Sequence, residues 1–242
     1  MATLRSVTDL CTPPVSDGDL FSARARQYAH AQRGRPLRIL EAGCGWGGGL
    51  DLGDVERHVT GVDLDVPALR AHTEARTDLD AFHLGDLRTV PLPPRAFDIV
   101  HAPFLIERLP HAELVLDRIV AALKPGGLLL VTLRDRGTAF GFVDRLLPSR
   151  GPLRRRRRGG DEPPPAVYEP VTSRAGMHWY CMMRGLAIAE EYLSDRLLAG
   201  AGRGTATMCR LVAACSRGRL PGTHSEVTLV IRKPENRFAR VI

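Results

Sequence analysis

Three acids stand where short apolar runs stop: Glu41 after Leu37 to Leu40, Asp63 after His58 to Val62, and Asp86 just beyond Ala81 to Leu84. The first is followed by glycines at 43, 45, 47, 48 and 49. Glycine has no side chain to pack and costs backbone entropy, so a strand cannot run through this stretch. The chain must turn here, leaving bare backbone for a ligand to lie against. No Gly-Lys-Ser/Thr ending follows, which excludes a phosphate-cradling P-loop. Gly43, Gly45 and Gly48 do satisfy G-x-G-x-x-G, so the pattern alone leaves a nicotinamide or flavin dinucleotide open. Glu41 weighs against one, because a carboxylate repels a pyrophosphate at short range, whereas an ammonium or sulfonium is favoured there. For proton transfer, His101 ends the fourth apolar run, and His178 and Tyr180 lie near one another further on. Histidine titrates near physiological pH, which suits a general base, although all three side chains also have a plainer role open to them in packing.

The elements that would position these residues alternate. Leu37–Glu41, His58–Asp63, Ala81–Leu84, Phe97–His101 and Leu128–Leu133 are expected strands. Between them, helices are expected over Pro67–Thr77 and Ala112–Leu123, with a short one through Leu50, Leu52 and Val55. Lys124-Pro125-Gly126-Gly127 stops the second of the longer helices. Alternation of this kind predicts a doubly wound α/β fold: a mostly parallel, seven-stranded sheet with helices on both faces and a crevice at the strands' carboxyl ends. Before it, residues 1–34 hold a lead-in helix carrying Phe21, Ala25, Tyr28 and Ala29 at helical spacing, capped by Asp19 or Ser22. The core spans 35–134. An insertion over 135–175 contains an amphipathic helix, Thr138–Leu147, and five arginines, Arg154 to Arg158, in an expected mobile loop from Pro148 to Pro165. Residues 176–242 complete the sheet with a helix from Ser173 to Gly185, a strand over Leu186–Leu193, a helix near Thr205–Ser216 and a final strand, Glu226–Arg232.

Composition is that of an ordinary globular chain: 242 residues, 44% hydrophobic and 25% charged. The net charge of +7 comes almost wholly from arginine, since lysine occurs only at 124 and 233. With arginine, alanine, glycine and proline all abundant, part of that excess is compositional, and a nucleic-acid partner is not expected. Five scattered cysteines form no C-x-x-C pair and no zinc spacing, so no metal is expected. No signal peptide and no membrane-length apolar run are visible, giving a cytoplasmic expectation, with membrane-surface contact open through Phe140 to Leu147.

The acid-x-Gly-x-Gly-x-Gly run over residues 41–47 resembles the signature loop of class I S-adenosylmethionine-dependent methyltransferases of the small-molecule type. The likeness extends through Asp63, through Asp86 in His83-Leu84-Gly85-Asp86-Leu87, and through Phe97 to Val100 and Leu123 to Gly127. It implies a Rossmann-like fold with one reversed strand, Glu226–Arg232, at the sheet edge. It also implies a cofactor, S-adenosylmethionine, held by Glu41, Gly43, Cys44, Gly45, Asp63, Leu64, Asp86, Leu87 and His101. Asp63 would take the ribose hydroxyls and Asp86 the adenine amino group. The implied activity is methyl transfer to oxygen, nitrogen or carbon of a small-molecule acceptor, leaving S-adenosylhomocysteine, with His101, His178 and Tyr180 as catalytic candidates. A cyclase or isomerase that keeps the cofactor intact and an RNA-directed enzyme are the alternatives. Many relatives carry a histidine in an E-H-L-P motif past the fourth strand. Here the stretch is Glu107-Arg108-Leu109-Pro110, so that base does not carry over.

Overall fold

The computed structural model describes residues 17–32, 34–46, 48–146 and 166–235. Its strands are β1 (Leu37–Ala42), β2 (Arg57–Asp63), β3 (Ala81–Leu84), β4 (Phe97–Pro103), β5 (Leu123–Arg134), β6 (Ala187–Ser194) and β7 (Glu226–Arg232). They form one sheet in the order β3-β2-β1-β4-β5-β7-β6. β1 to β5 pair in parallel, and β7 runs antiparallel to both neighbours. The reversed strand therefore stands at the expected end of the sheet, one place in, with β6 outside it. Strand order reverses between β1 and β4, which opens a crevice at their carboxyl ends.

The helices are α1 (Asp17–Ala31), α2 (Pro67–Ala75), α3 (Ala112–Ala122), α4 (Ala139–Leu146), α5 (Arg174–Met183), α6 (Arg196–Gly200) and α7 (Gly202–Cys215). Side chains alternate across each strand, so the sheet builds two cores. Leu37, Ile39, Ile99 and Leu130 meet Phe21, Ala25 and Tyr28 of α1. Leu40, Val100, Leu129 and Val131 face Ile119 of α3 and Met177 of α5. Fully buried aliphatics such as Ile39 and Leu40 each stabilise the fold by about 1.5–3 kcal/mol relative to exposure. A third, smaller core joins α4 to α6 and α7 through Phe140, Val143 and Cys209.

Several expectations change in detail. No helix forms around Leu50; residues 48–56 run irregularly, with Gly53 at φ +55. The stretch is too short and glycine-rich for helix nucleation. Leu50 and Leu52 instead anchor it in the α1 core, while the Ser22 hydroxyl accepts from Asp51 N at 3.0 Å. Asp19 and Ser22 both fall inside α1 and not at the N-cap position before it. β5 takes in the Lys-Pro-Gly-Gly turn: Gly126 adopts φ +79 and its N–H meets Lys233 O at 2.8 Å. The Pro148–Pro165 loop and its arginines lie outside the described residues.

Candidate active site

Glu41 and His101 are register partners on β1 and β4, on the face covered by α1. Adjacent strands in register bring their same-face side chains together. The His101 Nδ1 accordingly lies 2.8 Å from Glu41 Oε2, and both side chains are buried. Phe21 of α1 caps the pair, its ring edge-on to the imidazole at a centroid distance of 5.3 Å. The lead-in helix thus packs over the Glu41–His101 pair.

The glycine loop turns directly after Glu41. Gly43 adopts φ +79, a conformation side-chain-bearing residues rarely take, and its N–H donates to Val62 O at 2.8 Å. Gly45 donates to Asp63 Oδ2 at 2.6 Å, and a Cβ there would lie only 2.8 Å from that oxygen. Leu64 N donates to the other oxygen of Asp63 at 2.7 Å. Burial raises the Asp63 pKa, while these two N–H groups and the nearby Arg108 charge oppose the shift. A carboxylate offers about four acceptor positions, so Asp63 can fix the loop and still receive hydroxyl groups. Gly49 leaves room for the Arg76–Asp78 pair, whose side-chain ends would have to shift to admit a Cβ there. Arg76 braces the loop by donating to Cys44 O at 3.1 Å.

The remaining expected ligands separate by role. The Cys44 thiol turns inward, 3.7 Å from Thr73 Oγ1, where burial pushes its pKa up to about 11. Only the Cys44 backbone therefore faces the loop's bend. Leu87 is buried in the α3 core, and its carbonyl accepts from Arg118 at 3.0 Å. Asp86 sits just past β3, where its carboxylate receives Arg88 N and Nε, each at 2.8 Å. The Arg88 guanidinium holds its pKa below the ordinary value.

His178 and Tyr180 are not brought to this cluster. Both lie on α5, where the exposed His178 pairs with Glu191 of β6 at 2.9 Å. Tyr180 donates to Asp117 of α3 at 2.8 Å, and burial with that carboxylate drives its pKa well above the ordinary range. Tyr180 is therefore a firmly protonated link between two helices.

Past β4 the chain makes a tight turn at Phe104 (φ +52), and Arg108 Nε donates back to Phe104 O at 2.9 Å. Within this turn sits Glu107, with no exposed surface. Among the described residues neither of its carboxylate oxygens has a hydrogen-bond partner, and Arg134 Nε stands 3.8 Å away. Burial pushes Glu107 up to about 7. Arg134 reaches Asp144 of α4 at 3.2 Å, and the Tyr168 hydroxyl donates to the same Asp144 oxygen at 2.6 Å. Glu107 belongs to the stretch that replaces the E-H-L-P motif, but Arg134, Asp144 and Tyr168 share no motif with it and join it only through the fold. A second buried pair, His224 Nε2 and Asp135 Oδ2 at 3.1 Å, ties the end of β5 to the start of β7.

Glu41, Asp63 and Asp86 at three neighbouring strand ends, around bare backbone, suit a ligand with a cationic centre and several hydrogen-bonding groups. Comparisons with known proteins agree. Residues 40–131 match the family description "Methyltransferase domain". The chain is 39% identical over 114 residues to a protein of Mycolicibacterium smegmatis named probable S-adenosylmethionine-dependent methyltransferase, covering 47% of this chain and 43% of that protein. It is 30% identical over 130 residues to a fatty-acid O-methyltransferase of the same species, covering 49% and 46%. The chain thus matches less than half the length of these curated relatives. In fold it is similar to a SAM-dependent methyltransferase from Archaeoglobus fulgidus, with a TM-score of 0.56 at 14% identity over 89% of this chain and 94% of that one. With this domain match and a cradle whose residues fit S-adenosylmethionine, residues 40–131 of the chain are similar to the class I S-adenosylmethionine-dependent methyltransferases.

Proposed function

We propose that this protein transfers the methyl group of S-adenosylmethionine to a small-molecule acceptor and acts in the cytoplasm. The observation that carries the proposal is the switch-point cradle, in which the Glu41–His101 pair lies under Phe21 of α1 and the Gly43–Gly45 turn is tied to Asp63. When bound, the cofactor supplies an electrophilic methyl group on a cationic sulfur. Glu41, oriented by His101, favours that cationic end, and Asp63 accepts from ribose hydroxyls while holding Gly45. Asp86 serves the adenine end. The packing of α1 over the Glu41–His101 pair favours an acceptor small enough to enter beneath it.

In this reading the acceptor group enters from the side of α4 and residues 166–172, where the buried Glu107 carboxylate has Arg134 at 3.8 Å and, among the described residues, no hydrogen bond. Oxygen, nitrogen and carbon acceptors all fit the reaction class. A carboxylate acceptor is the reading we favour, supported by the name of the fatty-acid O-methyltransferase relative. A carboxylate needs no proton removed before attack, which accords with arginine rather than histidine at position 108. For protonated nucleophiles His101 is the proposed base, since it is the histidine the fold keeps beside the glycine loop.

The test is incubation of purified protein with methyl-labelled S-adenosylmethionine and a panel of carboxylic acids, amines and phenols. Label is expected in a small-molecule product. A product without label would replace methyl transfer by a cyclase or isomerase activity, and label in added RNA alone would overturn the small-molecule reading. In parallel, Asp63→Ala is expected to weaken cofactor binding by about tenfold or more, measured by calorimetry, because it removes charged hydrogen bonds.

A further inference from the structure

The small core of α4, α6 and α7 stands at the carboxyl ends of β5 and β6, the acceptor end of the crevice. Its outer surface is unusual in two respects. From 195 to 224 there are five arginines, at 196, 203, 210, 217 and 219, against one acid, Asp195. Arg203, Arg210, Arg217 and Arg219 are exposed, and among the described residues none of these four makes an ion pair. Alongside them, apolar side chains point into solvent: Met208 is 46% and Leu211 62% exposed.

The spacing organises these residues. Arg203 and Arg210 are seven residues apart, two turns of α7, and so share one face. Met208, Leu211 and Cys215 follow at intervals of three and four, forming an exposed apolar ridge beside the arginines. Leu146, at the end of the packed neighbour α4, is also exposed, at 65%. A helix that turns an apolar ridge and a row of arginines outward while burying Cys209 beneath has two faces to satisfy. Only one serves the protein's own core.

We propose that the outer face of α7 docks on an anionic lipid bilayer. The arginines meet lipid phosphates, and Met208 and Leu211 enter the headgroup boundary, as interfacial helices do. The charge of this face complements an anionic surface and opposes a second copy of itself, which would bring like charges together. A nucleic acid would use the arginines but leave the apolar ridge in water, and residues 195–224 contain no Phe, Tyr or Trp for base stacking, while His224 is buried. Docking here would set the acceptor end of the crevice against the membrane, so an apolar acceptor could pass in without crossing water.

The experiment is co-sedimentation of the full chain with vesicles of pure phosphatidylcholine or of equimolar phosphatidylglycerol and phosphatidylcholine. Binding is expected to the mixed vesicles only, and to decline as salt rises. Each arginine adjacent to an anionic surface contributes about a fivefold factor. Arg203→Ala with Arg210→Ala should therefore weaken partitioning about 25-fold. Met208→Gln with Leu211→Gln keeps the charge and should also weaken it, which a purely electrostatic contact would not show. Thermal melting and cofactor binding, measured on each variant, separate lost docking from lost folding. No binding to mixed vesicles overturns the proposal. So does binding that survives both α7 double variants but vanishes when Arg154 to Arg158 are neutralised. Binding unchanged in the glutamine variant and abolished by polyuridylate would make the face a nucleic-acid surface instead.

Discussion

Asp98 in β4 and Glu107 just beyond its other end are both without exposed surface, yet their surroundings differ completely. Asp98 accepts from Arg35 at 2.5 Å, Arg38 N at 2.9 Å and Lys124 at 2.7 Å. Among the described residues the Glu107 carboxylate accepts no hydrogen bond, and Arg134 Nε stands 3.8 Å from it. The amino end of the strand is a structural joint, where both carboxylate oxygens of Asp98 are engaged. The carboxyl end, on the acceptor side, holds a carboxylate that costs stability to ionise. A buried acid with only long-range compensation from Arg108 and Arg134 is the kind of group expected where a fold serves a ligand.

The largest test of this contrast is Asp98→Ala. Losing a buried acid that organises two cations and a backbone N–H is expected to cost about 3–4 kcal/mol in urea unfolding, the low part of the range for buried pairs because Arg35 is half exposed. A loss below 1 kcal/mol would show that the joint is not needed.

Glu107→Gln should act in the opposite direction. The Glu107 pKa is raised in the folded chain to about 7 from an ordinary 4.5. Below the ordinary value the folded and unfolded chains both hold the proton, and the group contributes no pH slope. Between the two values the unfolded chain releases a proton that the fold retains, so stability falls as pH rises; above the folded value it is flat. Around pH 8 the glutamine variant is therefore expected to be more stable by up to about 3 kcal/mol, with little difference near pH 4. Equal unfolding curves at both values would mean that Glu107 is satisfied.

Smaller effects sharpen the boundary between site and scaffold. Tyr180→Phe removes its bond to Asp117 and should cost about 1 kcal/mol of stability while leaving turnover unchanged. A fall in turnover without a fall in stability would return Tyr180 to the catalytic set. His178→Ala breaks an exposed pair with Glu191 and should change stability by about 0.5 kcal/mol or less, by thermal melting.

Much of this molecule was legible in residue order. Alternating apolar runs and helical periodicity located all seven strands, because each element is set by local spacing. Glu41, Gly43, Gly45, Asp63 and Asp86 declared themselves because they sit at the ends of those runs. Other features depended on residues far apart in the chain. Gly49 meets Arg76 and Asp78 only because the fold brings that pair back against the loop. Glu41 found His101 through strand register, across 60 positions. Leu50 and Leu52 read as helix but became anchors under α1, because tertiary burial outweighed a weak local preference.

The sequence by itself determined the strands, their acids and the bare loop, and so the kind of cofactor. Which carboxylates accept hydrogen bonds and which has only long-range compensation, and that His178 and Tyr180 face away toward β6 and α3, was decided by tertiary structure alone. The physical reason is that a side chain's partners and solvation are set by its neighbours in space, and for Glu107 those neighbours come from β5, α4 and the segment near Tyr168.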